Sequence, residues 1–317
     1  MDPLSVGIIG VVAFLIILVC KMPIAIAMGL VGVVGFAALS SWPAALKMAA
    51  TEIFTSFNSY TLSVVPMYVW MGYLAYYSGL GTRLFNFAYK MIGHWPGGLA
   101  MATQMASALF GAVCGSNTAT AATMGAIALP EMKKYDYDPS LSTASIASGG
   151  ILGVLIPPSV VFIVYGVVTE QSIGKLFLSG IGPGILLMLL YIIAIYILTK
   201  RDPKLAPPGP RATWKERWQA LAGSLGEVIV VFGISIGGLS LGWFTPTEAG
   251  AVGAGGLLLV VLVKKSLTWE GFKNSLADTA RTTAMIMFII ACATIFGRFI
   301  AISRIPFALA TWVGTLP

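Results

Sequence analysis

Long runs of apolar residues leave this sequence few possible folds. Each run is about as long as a helix must be to cross a hydrocarbon layer of about 30 Å. Only helices and closed barrels satisfy their backbone groups in that layer, where water is absent. The mean hydropathy is +0.89 and only 10% of the 317 residues are charged, against about 25% in soluble domains. We therefore predict an all-α integral membrane protein, whose apolar runs cover residues 4–20, 23–39, 176–198, 227–243 and 249–263.

The charged and metal-binding residues argue against several functions. The formal net charge is +7, but the basic residues lie in loops between the apolar runs, where they orient the chain and contact anionic membrane lipids. No nucleic-acid partner is therefore predicted. Cys20, Cys114 and Cys292 show no metal-ligand spacing, and His94 is the only histidine. The sequence thus predicts no cofactor and no catalytic residues. An intramembrane enzyme, the alternative from another class, lacks the paired carboxylates or the nucleophile set that it would need.

The basic loops also predict how the chain is oriented. Residues 199–218 form the densest basic segment, which the positive-inside rule places in the cytoplasm. Threading outward from this segment puts Lys133 and Lys134 in the cytoplasm, and residues 169–175 and the N-terminus in the periplasm. The first apolar run has no basic segment before it and leads directly into the second. We interpret it as a transmembrane helix and not as a cleavable signal peptide.

Residues 96–130 contain no charged residue, yet they do not fit whole crossings of the membrane. The segment is too long for one crossing and too short for two. Because Lys90 before it and Lys133 after it are both predicted to be cytoplasmic, we predict a re-entrant helical hairpin whose tip reaches the middle of the membrane. The tip, residues 114–120, is rich in small and hydroxyl residues. Its candidate ion- and substrate-binding residues are Gly115, Ser116, Asn117, Thr118 and Thr120.

The following segment, residues 139–168, contains a predicted helix break. Pro157 and Pro158 lack backbone N–H groups and crowd the preceding turn, so the helix should end near Ile156. A hairpin tip and a broken helix that meet near the centre of the membrane form ion and substrate sites in secondary transporters. The candidate residues of the broken helix are Gly149, Gly150, Pro157, Pro158 and Ser159.

Each of these segments also has a purely structural interpretation. Ser116, Asn117 and Thr118 offer hard oxygen ligands of the kind that Na+ prefers, although small residues also let helices pack closely in lipid. Residues 149–159 either complete the ion and substrate site or only kink a helix. We favour the site in both cases, because close packing accounts for Ala and Gly but not for an Asn at the centre of the membrane.

Charged residues at other positions have competing interpretations. Glu248 is either an intramembrane carboxylate for ion coupling or part of a capping box that begins at Thr245, and the capping box is favoured. Arg298 either contacts a substrate carboxylate or extends to the outer membrane interface. Asp136 and Asp138 are predicted to lie in a solvated loop.

Residues 5–39 and 226–263 share one pattern of helix, short Pro-containing break and helix. The first pair is predicted to enter from the periplasm and the second from the cytoplasm, which is the pattern of an inverted-topology repeat. A second copy would continue into its own hairpin and broken helix, and the chain ends before both. We therefore expect the sequence to be truncated at its C-terminus.

Four stretches, in order between residues 115 and 252, resemble the large membrane subunit of tripartite ATP-independent periplasmic (TRAP) transporters. They are GSNTATAATMG at 115–125, LPEMKKYDYDPS at 129–140, GILGVLIPPS at 150–159 and WFTPTEAGAV at 243–252. The Ser-Asn-Thr sequence at the tip is also similar to the signature of dicarboxylate/sodium symporters. A stand-alone anion/sodium symporter therefore stays open as the alternative function.

The TRAP resemblance implies an inverted-repeat elevator in the bacterial inner membrane, in which Na+ drives uptake of an organic carboxylate. It also implies two protein partners, a periplasmic substrate-binding protein and a small four-helix membrane subunit. The predicted domains are scaffold helices of the first repeat (1–95), a transport domain with the hairpin and the broken helix (96–168), a helix with a basic cytoplasmic linker (169–225) and the start of the second repeat (226–317).

Overall fold

A computed structural model describes residues 2–315, and every regular element in that range is helical. The helices are α1 (Pro3–Val19), α2 (Ile24–Leu39), α3 (Trp42–Phe57), α4 (Val64–Tyr77), α5 (Leu80–Ile92), α6 (Gly98–Cys114), α7 (Asn117–Lys134), α8 (Pro139–Leu155), α9 (Val160–Val168), α10 (Ile173–Arg201), α11 (Trp214–Ala220), α12 (Gly226–Phe232), α13 (Gly238–Ser240), α14 (Pro246–Val263), α15 (Trp269–Ile302) and α16 (Ile305–Val313). The chain divides into two compact units, one of Met1–Leu62 with Arg281–Pro317 and the other of Ser63–Ala280.

The described helices confirm the all-α prediction, and several of them have the length and composition of membrane spans. Helices α10, α14 and α15 are each long and apolar enough, and α8 with α9, bent by 43° at the break between them, has the length and composition of a fourth span if the pair counts as one. Helices α1 and α2 are shorter, with 17 and 16 residues, against about 20 for an untilted crossing. Their lengths match the apolar runs 4–20 and 23–39 to within one residue.

The crossing predicted at residues 227–243 is not one regular α-helix. The chain is helical from the start of α11 to the end of α13, but π-helical turns at Leu221–Leu225 and Gly233–Gly237 interrupt it. Glycine is a poor helix former, and this stretch contains several glycines, among them Gly223, Gly233 and Gly237. The sequence predicted a helical crossing here, and the structure adds two π-helical turns, one just before that run and one within it.

In the unit that contains α1 and α2, an aromatic side chain fills a notch between these two helices. Phe299 is fully buried, and it packs with Val6 and Val31. A Cβ atom at Gly10 or Gly35 would lie 2.5 Å from the Phe299 ring. The two glycines therefore provide the space that the ring occupies.

Arg298 has a partner in the same unit that the sequence analysis did not identify. Its Nε donates to Oε1 of Glu52 at 2.8 Å. The Arg298 side chain is 60% exposed and that of Glu52 is 14% exposed. The structure thus shows an ion pair between residues far apart in sequence, where we had weighed only a substrate carboxylate or the membrane interface.

In the other unit, an irregular segment crosses the base of the hairpin formed by α6 and α7. This segment, residues 205–209, is called the strap below. The N–H of Gly97, just before α6, donates to Ala206 O at 3.2 Å, and the N–H of Asp138, just before α8, donates to Leu205 O at 2.9 Å. The hydroxyl of Tyr137 donates to Pro207 O and accepts from Leu99 N. The strap therefore connects the first residues of α6 and α8.

Candidate functional site

The hairpin tip is a sharp turn between α6 and α7. Gly115 adopts a left-handed conformation with φ 64°, which glycine adopts at little cost. Ser116 is extended and caps α7, because its Oγ accepts from Ala119 N at 3.4 Å and lies 3.2 Å from Thr118 Oγ1. The structure shows two helices joined by a tight turn, as predicted, and the turn is shorter than residues 114–120, since Asn117 already begins α7. That this hairpin re-enters the membrane stays a prediction.

The helix break lies where the two prolines predicted it. Helix α8 ends at Leu155, Ile156 is extended, and the bond between Pro157 and Pro158 is cis. Ser159 then caps α9, with its Oγ accepting from Phe162 N at 3.4 Å. The break and the tip therefore share one local structure. In each, a serine with an extended backbone caps the helix that follows.

The tip and the break contact each other directly. The N–H of Val160 donates to Gly115 O at 3.4 Å. A Cβ atom at Gly115 would overlap the carbonyl oxygen of Pro158. As a result, the carbonyl ends of α6 and α8 and the N–H ends of α7 and α9 meet in one place. Helix ends carry partial charges, negative at the carbonyl end and positive at the N–H end.

A face of glycines on α8 receives polar side chains from both helices of the hairpin. A Cβ atom at Gly149 would lie 2.5 Å from Oγ of Ser107 on α6, and one at Gly150 would lie 2.5 Å from Oδ1 of Asn117 on α7. A Cβ atom at Gly153 would overlap the hydroxyl of Thr120. Glycines thus allow α8 to approach the hairpin closely enough for these side chains to contact its backbone.

The structure divides the predicted site residues into an exposed group and a buried group. Asn117 and Thr118 are exposed and Ser116 is partly buried at the tip. The hydroxyl of Thr120 is buried and has no hydrogen-bond partner among the described residues apart from the thiol of Cys114. The other members of the predicted set are buried in the turn of the tip or beside it: Gly115, Gly149, Gly150, Pro157, Pro158 and Ser159. Whether these residues bind an ion or substrate stays a prediction.

Sequence reasoning missed two buried polar residues on α6. Gln104 and Ser107 are fully buried, and Gln104 Nε2 donates to Ser145 O at 2.7 Å and Ser148 Oγ at 3.0 Å. Gln104 Oε1 and Ser107 Oγ have no partner among the described residues. The two residues are three positions apart, which places them on one face of a helix. This spacing, within a run that has no charged residue, could have identified them from the sequence.

Asp138 has a structural role that the prediction of a solvated loop missed. Its carboxylate accepts from Ser140 and from Leu141 N at the start of α8. These donors, first the Ser140 hydroxyl and then the backbone N–H groups, hold the pKa of Asp138 below its usual value. The sequence signal was an Asp directly before Pro139, because Asp at N-cap and Pro at N1 often begin a helix.

The capping box at α14 is confirmed. Thr245 Oγ1 accepts from Glu248 N at 3.3 Å, and Glu248 Oε2 accepts from Thr245 N at 2.8 Å. Glu248 therefore stabilises a helix end. Within residues 2–315, no group of three or more His, Cys, Asp or Glu side chains is placed to hold a metal ion.

A hairpin that meets a broken helix, in a chain with several membrane-length apolar helices, is typical of multi-pass membrane transport proteins. Comparison with known proteins gives the family. Residues 11–317 match the family described as tripartite ATP-independent periplasmic transporter, DctM component. The chain belongs to this family, which confirms the resemblance found in its sequence motifs. Members of the family are transporter permeases, so the chain is not an enzyme.

Individual relatives support this assignment over most of the chain. The C4-dicarboxylate TRAP transporter large permease protein DctM of Pseudomonas aeruginosa is 37% identical over 275 residues, 86% of this chain and 64% of the relative. The isethionate TRAP transporter permease protein DctMQ of Oleidesulfovibrio alaskensis is 36% identical over 94% of this chain and 46% of the relative. The sialic acid TRAP transporter large permease protein SiaM of Vibrio cholerae is 34% identical over 86% of this chain and 63% of the relative. The chain thus spans between about half and two thirds of the length of these relatives.

Proposed function

We propose that this chain is the ion-translocating part of a permease that uses a Na+ gradient to take up an organic anion across the bacterial inner membrane. The hydrogen bond from Val160 N to Gly115 O carries this proposal, because it brings four helix ends together at one point. Secondary transporters build ion and substrate sites from such discontinuous helices near the bilayer centre.

The carbonyl ends of α6 and α8 support a cation site. The last carbonyl groups of a helix have no partner within it, and they carry partial negative charge. Ser116, Asn117 and Thr118 add hydroxyl and amide oxygens beside them. Na+ favours such hard oxygen ligands, so we assign these residues to Na+ binding.

The N–H ends of α7 and α9 support an anion site next to the cation. Both helices begin at a serine cap, and helix N-termini attract carboxylates through their free N–H groups and partial positive charge. Relatives named for C4-dicarboxylate and sialic acid transport are consistent with a carboxylate substrate. We further propose that residues 96–168 move together as the transport domain of an elevator.

A complete permease that carries these residues, reconstituted in proteoliposomes with its binding protein and its small membrane subunit, tests the function. Uptake should require the binding protein and should increase with an inward Na+ gradient. Equal uptake after replacement of Na+ by K+ would contradict sodium coupling. Full uptake without the binding protein would favour the alternative, a stand-alone anion/sodium symporter.

The Ser116→Gly variant tests whether the tip binds Na+. Glycine is nearly as good as serine at an N-cap, so the variant removes an oxygen ligand with little loss of helix stability. A lost ligand costs about 1–3 kcal/mol, so the Na+ concentration for half-maximal uptake should rise by roughly 5- to 150-fold.

Ser172→Gly is the matched control for this measurement. Ser172 caps α10 with the same geometry, since its Oγ accepts from Lys175 N at 3.4 Å. This control should leave the Na+ dependence of uptake unchanged. An unchanged Na+ dependence in Ser116→Gly would assign the tip serine to helix capping alone.

A further inference from the structure

A band of cationic and aromatic side chains lies at the opposite end of α6 from the tip. Lys200 Nζ lies 5.8 Å from the ring centroid of Tyr196, whose ring lies 5.9 Å from that of Trp95. Trp95 in turn lies 5.9 Å from His94. The band continues at α11, where the Arg217 guanidinium lies 5.4 Å from the Trp214 ring.

Cationic side chains lie close to one another in this band. The pKa of His94 is lowered, first by burial and then by the charges of Arg217 and Arg211. His94 Nδ1 and Arg217 Nε are buried without a hydrogen-bond partner in the described part of the chain. Glu216, the nearest acidic residue in sequence, instead accepts from the N–H and hydroxyl of Thr213 in a capping box.

An apolar cleft opens beside the Arg217 guanidinium group. It has a volume of about 80 Å³ and is lined by Met91, Trp214, Arg217, Trp218 and Leu221. Trp214 and Trp218 are 72% and 62% exposed. Exposed tryptophans next to arginines are typical of the membrane–water interface, where aromatic rings lie at the level of the headgroups.

We propose that this band is a binding site for an anionic phospholipid, whose phosphate contacts Arg211 and Arg217 and whose glycerol and upper acyl chain lie against Trp214 and Trp218. Arg217 is partly buried and its Nε has no hydrogen-bond partner among the described residues, whereas Arg211 is exposed, so both can receive a phosphate. Basic pockets beside membrane helices bind anionic headgroups. Free inorganic phosphate would satisfy the charges but not the apolar cleft. The site goes beyond the transport function, since it lies away from the tip and the helix break.

Titration of the purified chain with phosphatidylglycerol, followed by native mass spectrometry, tests the site. Each arginine near the membrane surface contributes about 1 kcal/mol, so Arg211→Gln with Arg217→Gln should weaken phosphatidylglycerol binding about thirtyfold. Lys265→Gln with Lys273→Gln removes the same charge elsewhere, and Lys273 also stacks on a tryptophan, Trp269. This control should bind phosphatidylglycerol as the parent chain does. Equal weakening in both double variants would overturn the proposal.

Two further measurements use the unmodified chain and do not depend on how the variants fold. Lipid that copurifies with the chain should be enriched in phosphatidylglycerol over phosphatidylethanolamine, relative to the membrane of origin. Phosphatidylglycerol should also raise the unfolding temperature more than inorganic phosphate at the same concentration. An absence of enrichment, or equal stabilisation by phosphate, would exclude a phospholipid site here.

Discussion

Replacing Gly115 by alanine is expected to abolish most transport by a complete permease that carries this tip. The left-handed backbone at Gly115 costs about 1–2 kcal/mol for a residue with a side chain, and the new methyl group would overlap the Pro158 carbonyl. The tip and the break must then separate, which breaks the hydrogen bond between Val160 N and Gly115 O. We expect uptake in proteoliposomes to fall at least about tenfold, since about 1.4 kcal/mol corresponds to a factor of ten.

The Gly242→Ala variant is the control that separates two effects of Gly115→Ala, the overlap with Pro158 and the cost of a left-handed backbone. Gly242 also has positive φ, at 76°, but no atom lies within 4 Å of a Cβ atom built there. Alanine at this position has the same free-energy cost for a left-handed backbone but overlaps no atom. We therefore expect this control to retain uptake and to be slightly less stable. Equal loss of uptake in both variants would show that contact between the tip and the break is not required.

Replacing Gly111 by alanine is expected to destabilise the packing of α6 on α8. A Cβ atom at Gly111 would lie 2.6 Å from the Cα of Gly153, so backbone and not a flexible side chain must move. Overpacking of this kind costs about 1–3 kcal/mol. The loss should appear as a lower free energy of unfolding for the purified chain in detergent.

Gly125→Ala on α7 provides the comparison within the same hairpin. The nearest atom to a Cβ there is Ile146 Cγ2 at 3.7 Å, an ordinary contact. Alanine favours a helix over glycine by up to about 1 kcal/mol, so this variant should be as stable as the parent chain or more so. Similar stability of Gly111→Ala and Gly125→Ala would contradict the close approach of α6 and α8.

The hairpin and the break were predictable because each depends on local chemistry. An uncharged run of intermediate length allows only a hairpin, and two adjacent prolines end a helix wherever they occur. The capping box at Thr245 and Glu248 is equally local, since its two residues are three positions apart. Composition and spacing are enough to identify such features.

Features that depend on distant residues were missed. The partner of Arg298 is 246 positions away, and no pattern near either residue identifies the other. The match of Gly150 with Asn117 and of Gly153 with Thr120 depends on how α8 is rotated against the hairpin. That rotation is set by packing in three dimensions, so the sequence indicates the glycines but not the side chains that they receive.

The strap has a consequence for how the hairpin opens. Its carbonyl groups accept hydrogen bonds from Gly97, Tyr137 and Asp138, and these bonds hold the first residues of α6 and α8 together. The tip is joined to the break by the hydrogen bond from Val160 to Gly115. Local opening needs the fewest broken contacts where a segment is least tied to its neighbours. Brief opening should therefore begin at the tip. The tip ends of α6 and α8 would separate there while their first residues stay joined at the strap.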